Sequence, residues 1–449
     1  MKYKQGTILR AGLEKKITTE VQKLLKTEKG GLRGRLLEPI KNAWEKKRQF
    51  EKLAKQHGTP CYVFDEKALR EAAQAYKNAF LRYIPNMKFY YAMKTNPYPS
   101  IMREVIRQGF GVDVSSAEEL KDALGYGAKE CVYSGPGKTE KDLAFALQHE
   151  KKVIIHLDSF SELKRLNMLA RKAKKTMRAG IRVYTSFHGE WKKFGIDVKN
   201  LSKFWNEAKH FPNVRLEGIQ FHLSWQKNSE SYAGIIKELA EHIKKLSRKE
   251  RGEIAFIDIG GGFLPHMREG YYPWQTPLGS IAEQTLKKKR KEIFRDSYLI
   301  TESVPPEEYA KGIAKAIRKH LDPLVSCTYI SEPGRIISTY GMHILLRVAD
   351  VKTRENVIMD GGMNMIGWER FSYEYFPVLN LTHPSKKEIP CVMYGRLCLS
   401  DEMDHWGYTC YASKMEEGDL VVVPNQGHLT YALAQNFIHP IPPVYKLPE

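Results

Sequence analysis

From Lys88 to about residue 331 the chain repeats one pattern: a short apolar run, then a longer stretch with apolar residues at helical spacing. The apolar runs are KFYYAM (88–93), GVDV (111–114), CVYS (131–134), VIIHL (153–157), AGIRVY (179–184), LEGIQFH (216–222), IAFIDI (254–259) and VSCTYIS (325–331). The stretches between them predict helices over about 100–108, 116–127, 139–148, 160–175, 200–210, 230–248 and 307–320, with Ser116 as an N-cap. Short apolar strands alternating with helices predict a parallel sheet covered by helices. Eight such units over roughly 250 residues suit a closed (β/α)8 barrel of the TIM type; an open doubly wound sheet is the alternative.

After residue 335 the rhythm changes. HILLRVADVKTR, NVIMDGG, IPCVMYGR and DLVVVPNQG read as strands broken by Gly, Pro and Asp, which predicts an all-β C-terminal domain over 336–449. TPCYVFD (59–65) is a strand outside the eight and is expected to join that domain. Residues 58–85 thus lead into the barrel, which spans 86–335. The aromatic and basic stretch 266–306 reads as a loop insertion. Residues 1–57 read as a charged, helix-prone N-terminal extension, broken at Gly30-Gly31, whose pattern carries no chemistry.

Composition narrows the class. Of 449 residues 42% are hydrophobic and 28% charged, ordinary for a globular protein. No window holds the roughly 18 uncharged apolar residues a membrane span needs. The first twenty residues have no apolar core, so no secretory signal is expected. The six cysteines (61, 131, 327, 391, 398, 410) form no CxxC pair, which argues against a zinc ribbon and a disulfide framework and favours a reducing, cytoplasmic setting; no metal is expected. The net charge of +20 raises the question of nucleic acid, membrane surface or an acidic partner. The basic residues are spread, however, and the densest run, KKKRK (287–291), comes with no helix-turn-helix, RNP or zinc-finger pattern. A solvated basic surface is the plainer reading, and no nucleic acid is expected.

A barrel places its chemistry at the carboxyl ends of its strands. Strand one ends in Lys94, strand two near Asp113, strand six in His222, strand seven in Gly260-Gly261-Gly262, and strand eight in Glu332, followed by Arg335. Singly, these are an exposed lysine, a core histidine, a turn and a structural ion pair. Converging on one mouth, they suit pyridoxal 5'-phosphate. A lysine amine forms a Schiff base with an aldehyde cofactor. A carboxylate keeps the pyridine nitrogen protonated, so that the ring draws electrons. Glycines admit backbone N–H groups to a phosphate, and an arginine fork binds it.

At this point the sequence resembles the fold type III pyridoxal-phosphate decarboxylases, the group of diaminopimelate, ornithine and arginine decarboxylases, whose barrel relates to that of alanine racemase. The resemblance runs from about Gly58 to Pro440. TPCYVFDEKAL resembles the family's opening strand, and VYSGPGKTEKDL its third βα unit. FYYAMKTNP resembles the cofactor-lysine motif, which implies Lys94 as the Schiff-base lysine. GFGVDVSSAEEL implies that Asp113 faces the cofactor, and EGIQFHLSWQ implies that His222 stacks on its ring. IDIGGGF resembles the phosphate glycine loop, and SEPGR implies Glu332, Gly334 and Arg335 as cofactor residues. YGRLCLSDEMD resembles the segment whose cysteine, here Cys398, enters a partner's site and reprotonates the carbanion. The resemblance implies a barrel plus C-terminal β domain, a homodimer with shared active sites, a small amino-acid substrate and loss of its carboxylate as carbon dioxide.

Four departures mark the substrate and phosphate ends. Leu223-Ser224-Trp225 replaces the family's small residues after the histidine. Leu399 replaces the acid after the cysteine, with Asp401 close by. Gly427-His428-Leu429 replaces a Gly-Ala-Tyr motif; Tyr431, two residues on, would share the face of the missing tyrosine if the segment is a strand, and His428 is the alternative. Trp368 falls nearest the position of an expected arginine, which leaves Glu369, Arg370 and Asp401 as candidate substrate contacts. These changes admit a modified or carrier-bound amino acid, for which the basic surface would suit an acidic carrier protein. Alternatives are an amino-acid racemase or epimerase on the same barrel, or a protein that binds pyridoxal phosphate without turnover. Racemases of this group pair an arginine with the pyridine nitrogen, so Glu332 favours decarboxylation.

Overall fold

The computed structural model describes residues 37–189, 192–266, 269–271, 299–367, 374–400 and 403–448, with single positions between 12 and 23 and at 281. The eight expected strands form as Met87–Ala92, Gly111–Val114, Cys131–Tyr133, Val153–Leu157, Met177–Tyr184, Val214–Gln220, Phe256–Asp258 and Thr328–Ser331. Each pairs in parallel with the next, and strand eight pairs back onto strand one, with Tyr329 opposite Met87. That last pairing removes both sheet edges and decides for the closed barrel over the open sheet.

The helices between the strands begin where side chains can cap them. Ser116 accepts from the Glu119 amide, and Ser159 from that of Glu162. Thr139 and Asp142 cap each other reciprocally. The helix expected over 230–248 stops at Ile243, because Ser247 and Glu250 cap a new helix, Arg248–Gly252. Inside the barrel, Tyr90, Val132, Ile154, Phe256 and Ile330 form one layer. Gly180 and Gly218 make room for it: a Cβ at Gly218 would stand 2.1 Å from the Phe256 ring, and one at Gly180 2.9 Å away.

The C-terminal domain is a closed ring of strands. Met342–Thr353 pairs with Asn356–Met359 and Leu420–Val423, and the ring is completed by Glu388–Tyr394, His405–Tyr411 and Leu379–Asn380. Cys61–Phe64 joins antiparallel to its longest strand, with Val444–Lys446 beyond it, as the sequence pattern predicts for 59–65.

The structure adds to the reading of two segments. The second half of the N-terminal extension has a structural task. Helices Leu37–Glu45 and Lys47–His57 bury Ile40, Ala43, Phe50, Leu53 and Ala54 against Cys61, Val63, Leu345, Leu420 and Val422. Alternate strand residues, Tyr62, Phe64, Ile344, Leu346, Val421 and Val423, face the main core instead. The helix pair thus covers the sheet face that would otherwise meet water. The insertion 266–306 is not all loop either. Glu269–Tyr271 and Leu299–Thr301 pair antiparallel and accept Glu374–Tyr375 of the β domain as a third strand. The KKKRK run lies outside the described residues.

Candidate active site

The lysine motif leaves strand one in a single 3-10 turn, Met93–Thr95. This turns Lys94 over the barrel mouth, where its Nζ lies 3.1 Å from Asp113 Oδ2 at the end of strand two. Ser134, after strand three, donates to the other Asp113 oxygen. Arg182, from strand five, donates to the Ser134 carbonyl at 3.3 Å. Burial disfavours the Lys94 ammonium, but Asp113 and Glu332 outweigh it and hold the amine above its ordinary range. Burial and Glu332 raise Asp113, against the pull of Lys94.

Glu332 closes the opposite side and is 1% exposed. Its carboxylate receives the Gln220 amide at 3.4 and 3.5 Å, and its Oε2 is 3.1 Å from His222 Nδ1. Burial, with Lys94 and Arg182 nearby, holds His222 well below its ordinary value, so its imidazole is neutral. His222 Nδ1 also lies 3.2 Å from the Gly261 amide. Burial raises Glu332, while Lys94, Asp258 and Arg182 pull it down.

The glycine loop is held by backbone on every side. A Cβ would come within 2.4 Å of the Phe221 carbonyl oxygen at Gly260, within 2.2 Å of the Glu332 carbonyl oxygen at Gly261, and within 2.1 Å of the Leu223 carbonyl oxygen at Gly262. At Gly334 it would meet Thr95 Cγ2 at 2.4 Å. The cavity between these groups is lined by Lys94, His222, Trp225, Gly262, Glu332 and Arg335, with His428 and Leu429 reaching in from the β domain. The Arg335 guanidinium lies 4.3 Å from the centre of the Trp225 ring and 3.6 Å from Glu374. Trp225 has φ +58 and is 57% exposed. The three-stranded sheet formed with the insertion therefore abuts this end of the site through Glu374.

The expected position of Tyr431 is corrected. Residues 427–430 are not a strand, and Tyr431 starts a 3-10 turn, Tyr431–Leu433. Leu429 has φ +51 and donates its amide to the Thr95 carbonyl at 2.9 Å. This turn breaks the two-residue face rule, and the Tyr431 ring packs instead edge-on against Tyr62 and Tyr98. His428 and Leu429 are what the loop presents to the cavity. Cys398 is exposed, on the connection between Glu388–Tyr394 and His405–Tyr411. Asp404 pins that connection by accepting the Leu397 amide. Glu369, Arg370, Asp401 and Trp368 lie outside the described residues.

Sequence reasoning missed Ser134, His156, Arg182, Gln220 and Asp258. All but Ser134 carried a signal. They are polar residues inside runs otherwise apolar enough for strands buried on both faces, and such a residue must point into the lumen or lose its solvation without return.

The residues present fit pyridoxal phosphate at both ends. Glu332 is a dry carboxylate whose amide donor is long, which suits a protonated ring nitrogen. The glycines leave no space for side chains beside Arg335, which suits close approach of a phosphate to backbone N–H groups. Lys94, which lines the cavity, would supply the amine.

Comparison with known proteins agrees. The family "Pyridoxal-dependent decarboxylase, pyridoxal binding domain" matches residues 66–339, more than half of the chain. The chain is 24% identical over 405 residues to the diaminopimelate decarboxylase of Aquifex aeolicus, covering 86% of each. It is 24% identical over 370 residues to the probable ornithine decarboxylase of Dictyostelium discoideum, covering 81% of this chain and 75% of that one. The solved lysine/ornithine decarboxylase of Vibrio vulnificus, complexed with putrescine, shares the fold at TM-score 0.70 and 22% identity, over 90% of this chain and 98% of that one. The matched span begins before the lysine turn and ends beyond Arg335, so it encloses the barrel side of the site, and the chain belongs to the family of pyridoxal-phosphate-dependent amino-acid decarboxylases.

Proposed function

We propose that the protein decarboxylates diaminopimelate or a close amino-acid analogue, with Lys94, Asp113, His222 and Glu332 as the groups that meet the cofactor. The observation that carries this reading is the placement of a buried carboxylate, Glu332, across the mouth from Lys94. Pyridoxal phosphate, when bound, supplies an aldehyde carbon for amines and a ring that withdraws electrons from the bond to the leaving carboxylate. Lys94 holds the aldehyde end, and its raised ammonium means that it must pass a proton on before it can bond there; Asp113, 3.1 Å away, is the acceptor in reach. Glu332 would keep a ring nitrogen protonated, the state a decarboxylase needs. The neutral imidazole of His222, which lines the cavity, would meet the ring. Gly260, Gly261, Gly262, Gly334 and Arg335 would hold the phosphate end, with His428 rather than Tyr431 beside them.

The diaminopimelate assignment is supported by the names of relatives such as those of Aquifex aeolicus and Campylobacter jejuni. Reprotonation by Cys398 from a second copy of the chain, substrate contacts at Glu369, Arg370 and Asp401, a homodimer and a cytoplasmic setting complete the proposal. Carbon dioxide release from a panel of diaminopimelate isomers, lysine, ornithine, arginine, glutamate and acylated derivatives tests it. Release from diaminopimelate is expected, and release from another member alone would replace the substrate. Lys94→Ala should also abolish the near-visible absorbance of a lysine-linked cofactor; an unchanged spectrum would remove Lys94 from its role.

A further inference from the structure

Beneath the mouth, inside the barrel, three ionisable side chains are wholly buried against one another: His156 of strand four, Asp258 of strand seven and Glu332. His156 Nε2 lies 3.7 Å from Asp258 Oδ2, its Nδ1 lies 3.8 Å from Glu332 Oε1, and one polar atom of each of the three side chains, the two carboxylates included, lies within 4.8 Å of the others. Neither ring nitrogen, nor Asp258 Oδ2, has a hydrogen-bond partner among the described residues, and Gln220 Oε1 is in the same position. Asp258 Oδ1 is satisfied by the Gly260 amide at 2.8 Å.

Orphaned groups at this depth are costly, and two ionised carboxylates cannot relieve each other because both only accept. One added proton resolves the conflict. Its place follows from the surroundings. Burial, Lys138 and Arg182 push the His156 imidazole down to about 3, so the ring does not carry it. Burial leaves Glu332 raised on balance, but Lys94 and Arg182 face it and oppose the rise. Asp258 is pushed well up by burial and by Glu332, against the pull of the Gly260 amide. Asp113 from strand two adds to the upward push. His156 turns its two nitrogens to two different carboxylates, whereas a metal ion takes one nitrogen of a ring. The arrangement is that of shared protons.

We propose that Asp258 is a positioning residue that keeps its proton on Oδ2 and donates it to Glu332, holding Glu332 ionised beneath the cofactor ring, with His156 closing the buried group. The proposal rests on the reading of Glu332 as the carboxylate that meets the ring nitrogen. Without the Asp258 proton, two buried carboxylates would face each other, and Glu332 would have to take up a proton itself and could no longer stabilise a ring cation.

Infrared spectroscopy of the full-length protein, with and without pyridoxal phosphate and with carboxyl-13C aspartate, reads the proton directly. A protonated-acid carbonyl band that moves with the label and vanishes in Asp258→Asn is expected. That variant keeps an acceptor for Gly260 and a donor for Glu332, so its kcat should stay within about threefold of wild type. Asp258→Leu has no donor and should lose roughly ten- to a hundredfold, the worth of a hydrogen bond to a charged group. Absence of the band at neutral pH, or Asp258→Asn as impaired as Asp258→Leu, would overturn the proposal. Failure of the underlying reading looks different: Glu332→Gln would then decarboxylate at full rate while the Asp258 band persisted.

Discussion

Gly262→Ala offers a direct measure of how closely the glycine loop is held. A methyl group there would stand 2.1 Å from the Leu223 carbonyl oxygen, 2.5 Å from its carbon and 3.0 Å from Ser224 Cα. All three are backbone atoms, and the segment cannot swing away. Gln226 donates to the Gly262 carbonyl at 2.9 Å, and Leu264 donates back to Gln226 at 3.1 Å. Gly262 also has φ +93, outside the range a side chain tolerates. Overpacking costs about 1–3 kcal/mol and the backbone strain about 1–2 kcal/mol more, so the loop must shift or lose about 2–5 kcal/mol. If the shift removes the phosphate contacts, cofactor affinity falls by roughly thirtyfold or more, at tenfold per 1.4 kcal/mol. Titration of the cofactor-free protein with pyridoxal phosphate, followed by absorbance, measures this; melting of the cofactor-free variant separates loss of binding from loss of fold. Gly125→Ala is the control. Nothing lies within 4 Å of its new methyl, and it ends a helix. It should bind cofactor as wild type does and gain up to about 1 kcal/mol. Wild-type affinity in Gly262→Ala with an unchanged melting temperature would refute the loop's role.

Two predictions concern the frame around the site. Asp65 caps helix Glu66–Tyr83 through the Ala68 amide at 2.9 Å, and it meets His343 and Lys46 with its other oxygen. Burial pushes its carboxyl up, but His343, Lys46 and the amide more than offset this and hold it well below the usual range. A depressed folded value means stability that is present above the unfolded pKa of about 3.9 and is lost as pH falls through the folded value. Asp65→Asn keeps the cap and loses the charge, so its deficit in urea unfolding should be largest near neutrality and shrink below about pH 4; Asp65→Ala should lose about 1 kcal/mol more. A deficit independent of pH would contradict the charge argument. Phe256→Ala should cost about 3–5 kcal/mol. Adding Gly218→Ala should recover part of this, although Gly218→Ala alone destabilises, because its methyl would fill the space the ring leaves. Simple additivity in the unfolding midpoints would show that the ring and Gly218 do not share that space.

The barrel is legible in the sequence because its strands are buried on both faces. Runs such as VIIHL and AGIRVY cannot be amphipathic surface strands, and the stretches between them carry their own caps, Ser116, Thr139 and Ser159. What the pattern leaves open is which apolar face meets which. Phe50, Leu53 and Ala54 mark one side of a helix, but nothing in 37–57 says that its partner is the outer face of a strand at 342–353. The three-residue strands of the insertion, EGY and LIT, are too short to show a period of two, and they exist only because each pairs with a neighbour distant in sequence.

The candidate site divides along the same line. Lys94, His222, the glycines and Glu332 are legible because each sits where a strand ends, and a closed barrel sends all strand ends to one mouth. Tyr431 misleads because its position was inferred from strand alternation across a segment that turns. A leucine at φ +51 has no signature in composition, and once Leu429 is bonded to the Thr95 carbonyl the face of every later residue is reset. The buried polar residues teach the opposite lesson. His156, Arg182, Gln220 and Asp258 interrupt apolar runs, and a strand buried on both faces gives a charge only the lumen to enter. Four such interruptions on strands four to seven require a polar layer inside the barrel, reaching down from the mouth. That layer is the setting in which one proton among His156, Asp258 and Glu332 becomes a structural necessity, since each of these groups is 0–1% exposed and water cannot take a share of the charge. Glu332 at the mouth is therefore tuned from below, by residues that interrupt the apolar strand pattern.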